Sequence, residues 1–302
     1  MKANILLLIT ALLWGFAFVA QRAGMEFIGP FSFNAVRFAL GSISLIPLLI
    51  FNKKRKFKNE KIFPSEKRKK ILWAGILAGV ILFIGASLQQ TGIVYTTAGK
   101  AGFITGLYLI LVPIIGIFFK HKSKTLTWIS AVIAVFGLYL LSVNEKFILE
   151  KGDALVFVSS VFWALHVIVI DILIKKVDPI KIAFLQFAVC SLLSFGMSFT
   201  FEVITIKKIY DALIPILYGG LISVGVAYTL QVVAQQYAPP SHAAIILSLE
   251  SVFGLLGGWL ILGETISFIG IIGCSLMLAG MILSQVSVSS DLKIKKKYVA
   301  EN

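Results

Sequence analysis

Ten runs of apolar residues occupy almost the whole of this sequence, roughly at 3–21, 30–51, 71–92, 97–119, 125–143, 153–174, 180–201, 211–235, 241–262 and 266–286. Each is close to the about 20 residues that a helix needs to cross the hydrocarbon core of a bilayer. Polar residues collect between the runs, and the connections are short apart from the stretch 52–70. The pattern predicts an all-α integral membrane protein of ten transmembrane helices. The first run, MKANILLLITALLWGFAFVA, imitates a secretory signal. Phe18 and Val19 stand where cleavage needs small residues, so the segment is read as a retained first helix.

The runs also repeat. At an offset of 149, Trp14 meets Trp163, Pro30 meets Pro179, and Phe38-Ala39 meets Phe187-Ala188. At an offset of 142, Leu88-Gln89 meets Leu230-Gln231, Tyr95 meets Tyr237, Ala101 meets Ala243, Gly116 meets Gly258 and Ser142 meets Ser284. The longer polar stretch of the first half absorbs the change in offset. Each copy holds five runs, an odd number, so the second copy enters the membrane from the opposite side. The expected organisation is a first repeat over 1–145, an inverted second repeat over 150–286, and a tail over 287–302. Inverted repeats enclose a site near the midplane, around a central cavity reached alternately from each side. The small-xxx-small pairs Gly75/Gly79, Gly102/Gly106 and Gly254/Gly258 suit close helix packing, and Pro47 and Pro113 are candidate kinks.

Composition agrees with the pattern. Of 302 residues 58% are hydrophobic and 14% charged, a balance that excludes a soluble domain with a polar skin. The net charge of +14 lies in short runs between spans, which is a topology signal and not a nucleic-acid surface. With the N-terminus in the cytoplasm, 21 Lys and Arg fall inside and six outside, with Arg37 within a span. Both termini are therefore assigned to the cytoplasm of a multi-pass plasma-membrane protein. The run KKRKFKNEKIFPSEKRKK at 53–70 also suits anionic lipid headgroups. Cys190 and Cys274 lie in apolar spans, and neither a disulfide framework nor a metal site is legible. No GxxxxGK[ST] motif occurs, so no ATP hydrolysis and no cofactor is expected.

The runs LQQTGIVYTTAGKAGFITGLYLILVPIIG at 88–116 and LQVVAQQYAPPSHAAIILSLESVFGLLGGWLILGE at 230–264 resemble the two signature regions of EamA-type transporters of the drug/metabolite transporter superfamily. LLWGFAFV at 12–19 and RF at 37–38 resemble that family's first two helices. The resemblance implies two inverted five-helix repeats, with the fifth and tenth helices at the periphery of a central cavity. It also implies export of amino acids or other small metabolites, and in distant branches of sugars, nucleotide sugars or drugs. The small multidrug branch couples protons through an acid in helix 1. This chain has Trp14 at that depth and no acid, so coupling does not carry over from that branch.

Glu250 is the most telling single residue. At about 1.5 Å per residue it lies roughly 14 Å into its helix, near the bilayer centre. A carboxylate facing lipid there costs on the order of 3 kcal/mol, so it faces protein or a wet cavity. Binding a substrate amine, exchanging a proton and bracing helices as a hydrogen-bonding group are all open to it. Its repeat mate is Tyr108. His166 is the obvious partner for proton sharing, or else a packing residue. Arg37 is a candidate for a bidentate grip on a substrate carboxylate or for locking a helix end. Its repeat mate is Gln186. Lys100 is placed to snorkel to the interface. Gln89, Gln90, Gln231 and Gln235, with Asn34, Tyr108 and Tyr228, form a belt that either lines the cavity or satisfies span ends. Trp14 and Trp163 lie too deep for the interfacial aromatic belt, unlike Trp73 and Trp128, and suit core packing or a cavity wall. Glu264 reads as a turn residue.

The leading expectation is a secondary transporter that exports a small-molecule solute, such as an amino acid, with protons as a candidate coupling ion. Uptake or exchange of a sugar, nucleotide precursor or drug is the alternative within that class. An intramembrane lipid-modifying enzyme is the alternative outside it. Clustered acids, histidines or serines would mark such an enzyme, and three scattered histidines argue against it. Oligomeric state leaves no trace in the sequence.

Overall fold

In hydrocarbon, every backbone amide of a crossing segment needs a partner inside its own helix. A computed structural model of the protein describes residues 2–56, 65–96, 98–119, 125–142, 151–175, 177–262, 268–269 and 271–283. The centre of the basic loop at 57–64, Glu264 and the tail 287–302 lie outside the described residues. Among the described residues every element is helical.

Eight apolar helices are long enough to cross a membrane. They are α1 (Lys2–Gly24), α2 (Pro30–Phe51), α3 (Arg68–Val94), α4 (Ala101–Phe118), α6 (Lys151–Ile174), α7 (Pro179–Phe201), α8 (Leu213–Ala234) and α9 (Pro240–Ile261). The fifth and tenth apolar runs form shorter helices within the described residues, α5 (Thr125–Ser142) and α10 (Ile271–Leu283). A short surface helix, Ile206–Asp211, precedes α8.

The matched prolines have a local cause. Pro30 and Pro179 each stand in the first turn of their helix, where a missing N–H costs nothing. Asp178 caps α7 by accepting from Ile180 N at 3.0 Å. The amides that open α2 are satisfied from another helix. Glu202, just past the end of α7, accepts from Phe31 N at 2.9 Å, Ser32 N at 2.8 Å and the Ser32 hydroxyl at 2.6 Å.

Contacts run between the halves in a crossed pattern. α3 packs on α6 and α7, while α8 packs on α1 and α2; α1 meets α9, and α6 meets α4. Exchanging each helix of α1–α5 for its counterpart in α6–α10 maps these pairs onto one another. α2 with α7 and α4 with α9 are mapped onto themselves. α5 and α10 lie together at one side. A Cβ on Gly137 would meet the Gly273 carbonyl at 2.6 Å, and one on Gly280 would meet the Ser130 carbonyl at 2.8 Å. Gly75 and Gly79 lie against Leu185 and Val189 of α7. Large apolar side chains such as Leu192, Phe199 and Ile214 remain exposed, as suits helices that face lipid.

Four of the long helices are not regular throughout. α2 breaks at Leu45, two residues before Pro47, whose ring obstructs the preceding turn. α4 breaks at Leu107, while Pro113 is accommodated inside its second segment, Tyr108–Phe118. α9 breaks at Ser248–Leu249, and its second segment starts at Glu250. In α8, residues Tyr218–Tyr228 form a wide π-helix.

Candidate functional site

The two breaks in α4 and α9 are the same event at matching places. Leu107 N bonds to Ile104 O at 3.2 Å, and Leu249 N bonds to Ile246 O at 3.2 Å. Each is a tightened turn, and the two stand 142 residues apart. The residue that follows the tightened turn is Tyr108 in one copy and Glu250 in the other. Short tight stretches within a helix commonly mark functional positions. Here they bring a phenol and a carboxylate side by side, since the Tyr108 hydroxyl lies next to Glu250. By strict hydrogen-bond geometry Tyr108 Oη and Glu250 Oε1 are each left without a partner.

Both residues line an interior cavity with about 30 Å³ of space for water centres, room for about two waters. α1 contributes Trp14, Ala17, Phe18 and Gln21; α2 contributes Arg37; α3 contributes Gln89. Thr105 and Tyr108 come from α4, and Trp163, His166 and Val167 from α6. Ser223, Tyr228 and Gln231 come from α8, and Glu250 from α9. α7 stands behind this wall. Its Gln186 holds His166 through Oε1 to Nε2 at 2.9 Å.

Tyr228, at the end of the π-helix, organises the aromatic side. Its ring centroid is 4.5 Å from Trp14, 6.1 Å from Trp163 and 6.3 Å from His166. Trp14 also donates to the Ser223 carbonyl at 3.3 Å. The repeat-matched tryptophans therefore face the same ring from opposite halves.

Arg37 is 1% exposed. Its Nε donates to Asn34 Oδ1 at 2.9 Å, and its guanidinium carbon lies 5.5 and 4.9 Å from the centres of the Phe33 and Phe38 rings. Nη2 has no partner. Neither Arg37 nor Glu250 forms an ion pair among the described residues. Asn34 does not line the cavity; its Nδ2 donates to the Ala86 carbonyl at 3.1 Å while its oxygen steadies Arg37. The belt of amides divides. Gln89 bonds to the Thr105 hydroxyl at 2.9 Å and Gln231 to Gln235 Oε1 at 3.0 Å, both at the cavity. Gln90 and Gln235 instead donate to backbone carbonyls of Gln21 and Val167. The Lys100 side chain lies outside the described set. His166 and Glu250 share the cavity but no hydrogen bond joins them among the described residues; the imidazole Nε2 bonds instead to Gln186.

Sequence reasoning did not single out Gln21, Thr105 or Ser223. Gln21 and Thr105 lie about two turns and one turn from Trp14 and Tyr108 respectively, a spacing that was available to read. Ser223 offers a backbone carbonyl inside a π-helix. The glycine-rich YGGLISVGVAY was its sole signal.

One feature of the cavity carries its chemistry. Buried polar atoms are almost always paired. Yet among the described residues six of the eleven buried side-chain atoms without a partner, on Gln21, Arg37, Tyr108, Trp163, Gln231 and Glu250, belong to residues that line it. The wall thus combines an arginine, a carboxyl, amides and aromatic rings, and six of these side chains have an unpartnered polar atom. Among the described residues no group of three or more His, Cys, Asp or Glu side chains is placed to hold a metal ion.

Comparison with known proteins places this arrangement. The model of the EamA-like transporter family matches residues 1–143 and 150–285. An uncharacterized transporter of Archaeoglobus fulgidus is 30% identical over 290 residues, covering 95% of this chain and 86% of that protein. The uncharacterized transporter YoaV of Bacillus subtilis is 24% identical over 284 residues, covering 92% and 94%. One from Clostridium kluyveri is 25% identical over 318 residues, covering 98% and 96%. A crystal structure sharing 15% identity superposes with a TM-score of 0.75 over 95% of this chain and 96% of its own, which establishes a common fold.

Proposed function

Because this chain belongs to the EamA-like transporter family and is on that ground a multi-pass membrane transporter, we propose that it exports a small polar metabolite, an amino acid or similar solute, across the plasma membrane by alternating access, with a proton exchanged at Glu250. The observation that carries this reading is the gathering of unpartnered buried polar atoms around one interior cavity. In a low-dielectric interior such groups cost free energy until a polar guest or water pairs with them.

The exchange of contacts between halves supports treating them as inverted repeats that rock about the cavity. About 30 Å³ holds water and no metabolite, so solute entry requires the helices around the cavity to part. The excess of Lys and Arg between spans on one side supports cytoplasmic termini. Glu250 suits proton exchange because it is a buried acid with a free oxygen and no cationic partner among the described residues. A carboxyl so placed changes charge at the point where solute and wall meet.

The test is a solute screen with purified protein in proteoliposomes, repeated with Glu250→Gln. Net, gradient-driven transport of the identified solute should fall about tenfold or more in the variant, whose amide keeps the shape of the side chain but has no proton to exchange. Membrane abundance and melting temperature should stay close to wild type. Parallel losses of transport and abundance would assign Glu250 to helix bracing and remove it from the site.

A further inference from the structure

We propose that Arg37 is the anchor for a carboxylate on the transported solute; this rests on the transport reading above and specifies the charge that the cargo must bring. The starting point is an imbalance. A buried guanidinium loses its hydration and normally recovers the cost by pairing with an acid. Arg37 is buried at mid-helix, and no acid lies within ion-pair distance of it among the described residues. Its surroundings hold it rigidly without neutralising it. Asn34 accepts from Nε, and Asn34 is itself tied to the Ala86 carbonyl, so Nε is held in place. The rings of Phe33 and Phe38 approach the guanidinium carbon and add cation–π attraction, which stabilises a cation but does not cancel its charge. On the far side, α8 comes so close that a Cβ on Gly219 would stand 3.3 Å from Arg37 Cδ.

What is left free is Nη2, on a residue that lines the cavity. A role in locking a helix end is not supported, because Arg37 makes no hydrogen bond to a backbone carbonyl among the described residues. A planar fork with Nε held and Nη2 unpartnered is suited to a planar anion. The charge points to a carboxylate in preference to a phosphate. Arg37 is the one arginine or lysine among the cavity's lining, so with Glu250 and His166 both neutral the wall balances one negative charge and leaves a dianion half compensated.

The experiment uses the purified full-length protein in detergent and follows thermal unfolding with butyrate, with butyramide as its neutral isostere, and with inorganic phosphate, all at matched ionic strength. Butyrate should raise the melting temperature of the wild type and butyramide should not. The butyrate concentration giving half the shift should rise about ten- to hundredfold in Arg37→Gln and in Arg37→Lys, where the charge or the fork is lost. Lys151→Gln, at an exposed position at the start of α6, should keep the wild-type response. Equal stabilisation of the wild type by butyrate and butyramide would overturn the assignment even if neither Arg37 variant folds. So would an unchanged butyrate response in folded Arg37→Gln, or a larger response to phosphate than to butyrate. Transport of a solute that lacks a carboxylate would leave the transporter reading standing and remove this one; a butyrate response in a protein that moves no solute would do the reverse.

Discussion

Glu250 and Tyr108 stand at corresponding positions of the two halves, and the structure turns that correspondence into a contact across the cavity. An acid and a phenol at matched positions give the cavity a framework that is nearly symmetric and a chemistry that is not. Arg37 and Gln186 repeat the point: one is the cavity's cation, while its mate orients His166. Ionisable residues inside apolar runs were conspicuous in the sequence because the bilayer makes them expensive. Neighbours such as Thr105 and Gln21 were silent because uncharged polar side chains occur in helices for many reasons. Glu202 is a further residue that pattern alone did not reveal, since it caps a helix some 170 positions away in the chain. Removing it leaves the Phe31 and Ser32 amides without their acceptor. Glu202→Ala should therefore cost about 1–2 kcal/mol. In a detergent melt this appears as a drop of several degrees, whereas Thr200→Ala, whose hydroxyl bonds exposed within its own helix, should shift little.

Elements position these residues through departures from regular helix. The tightened turns at Leu107 and Leu249 occur at matched repeat positions, and no proline occupies either turn; the turn geometry rather than a ring places Tyr108 and Glu250. The π-helix of α8 has no such counterpart, because the matching stretch of α3 is regular α-helix. That difference sets Tyr228 beside both tryptophans and directs the Ser223 carbonyl to Trp14. Periodicity identifies helices well in this chain but does not register a change from four to three or five residues per hydrogen bond. α5 and α10 provide a separate test of packing, since no described residue of either lines the cavity. Their contact has no room for a side chain at Gly137. Gly137→Val should destabilise by about 1–3 kcal/mol through overpacking. The melting temperature should fall while the solute KM of surviving protein stays at the wild-type value; a changed KM would tie the peripheral pair to the site.

At the scale of the whole molecule, the cavity has room for water and not for a metabolite, and under the alternating-access proposal transport consists of parting the halves on one side at a time. Seven helices share the wall, so a small relative rotation of the halves alters every side of it together. If one proton is exchanged at Glu250 per cycle, an imposed pH gradient should drive solute accumulation in proteoliposomes. The expected outcome for Glu250→Gln is loss of that accumulation with exchange of solute for solute retained, because exchange needs binding and reorientation but no change of charge. An unchanged equilibrium distribution of solute under the gradient in wild type would remove proton coupling from the reading.

The sequence by itself determined the class of this protein: apolar runs of crossing length with basic residues between them dictate a helical membrane protein. It also marked Glu250, Arg37 and His166, since charge in hydrocarbon is costly enough to be informative one residue at a time. Only the tertiary structure decided which groups meet. His166 turned to Gln186 and away from Glu250, Asn34 went behind Arg37, and Gln90 and Gln235 were used on backbone. The physical reason is that burial cost is a property of a residue in its own helix, whereas pairing depends on helix rotation and local winding, which are set by contacts between segments far apart in the chain.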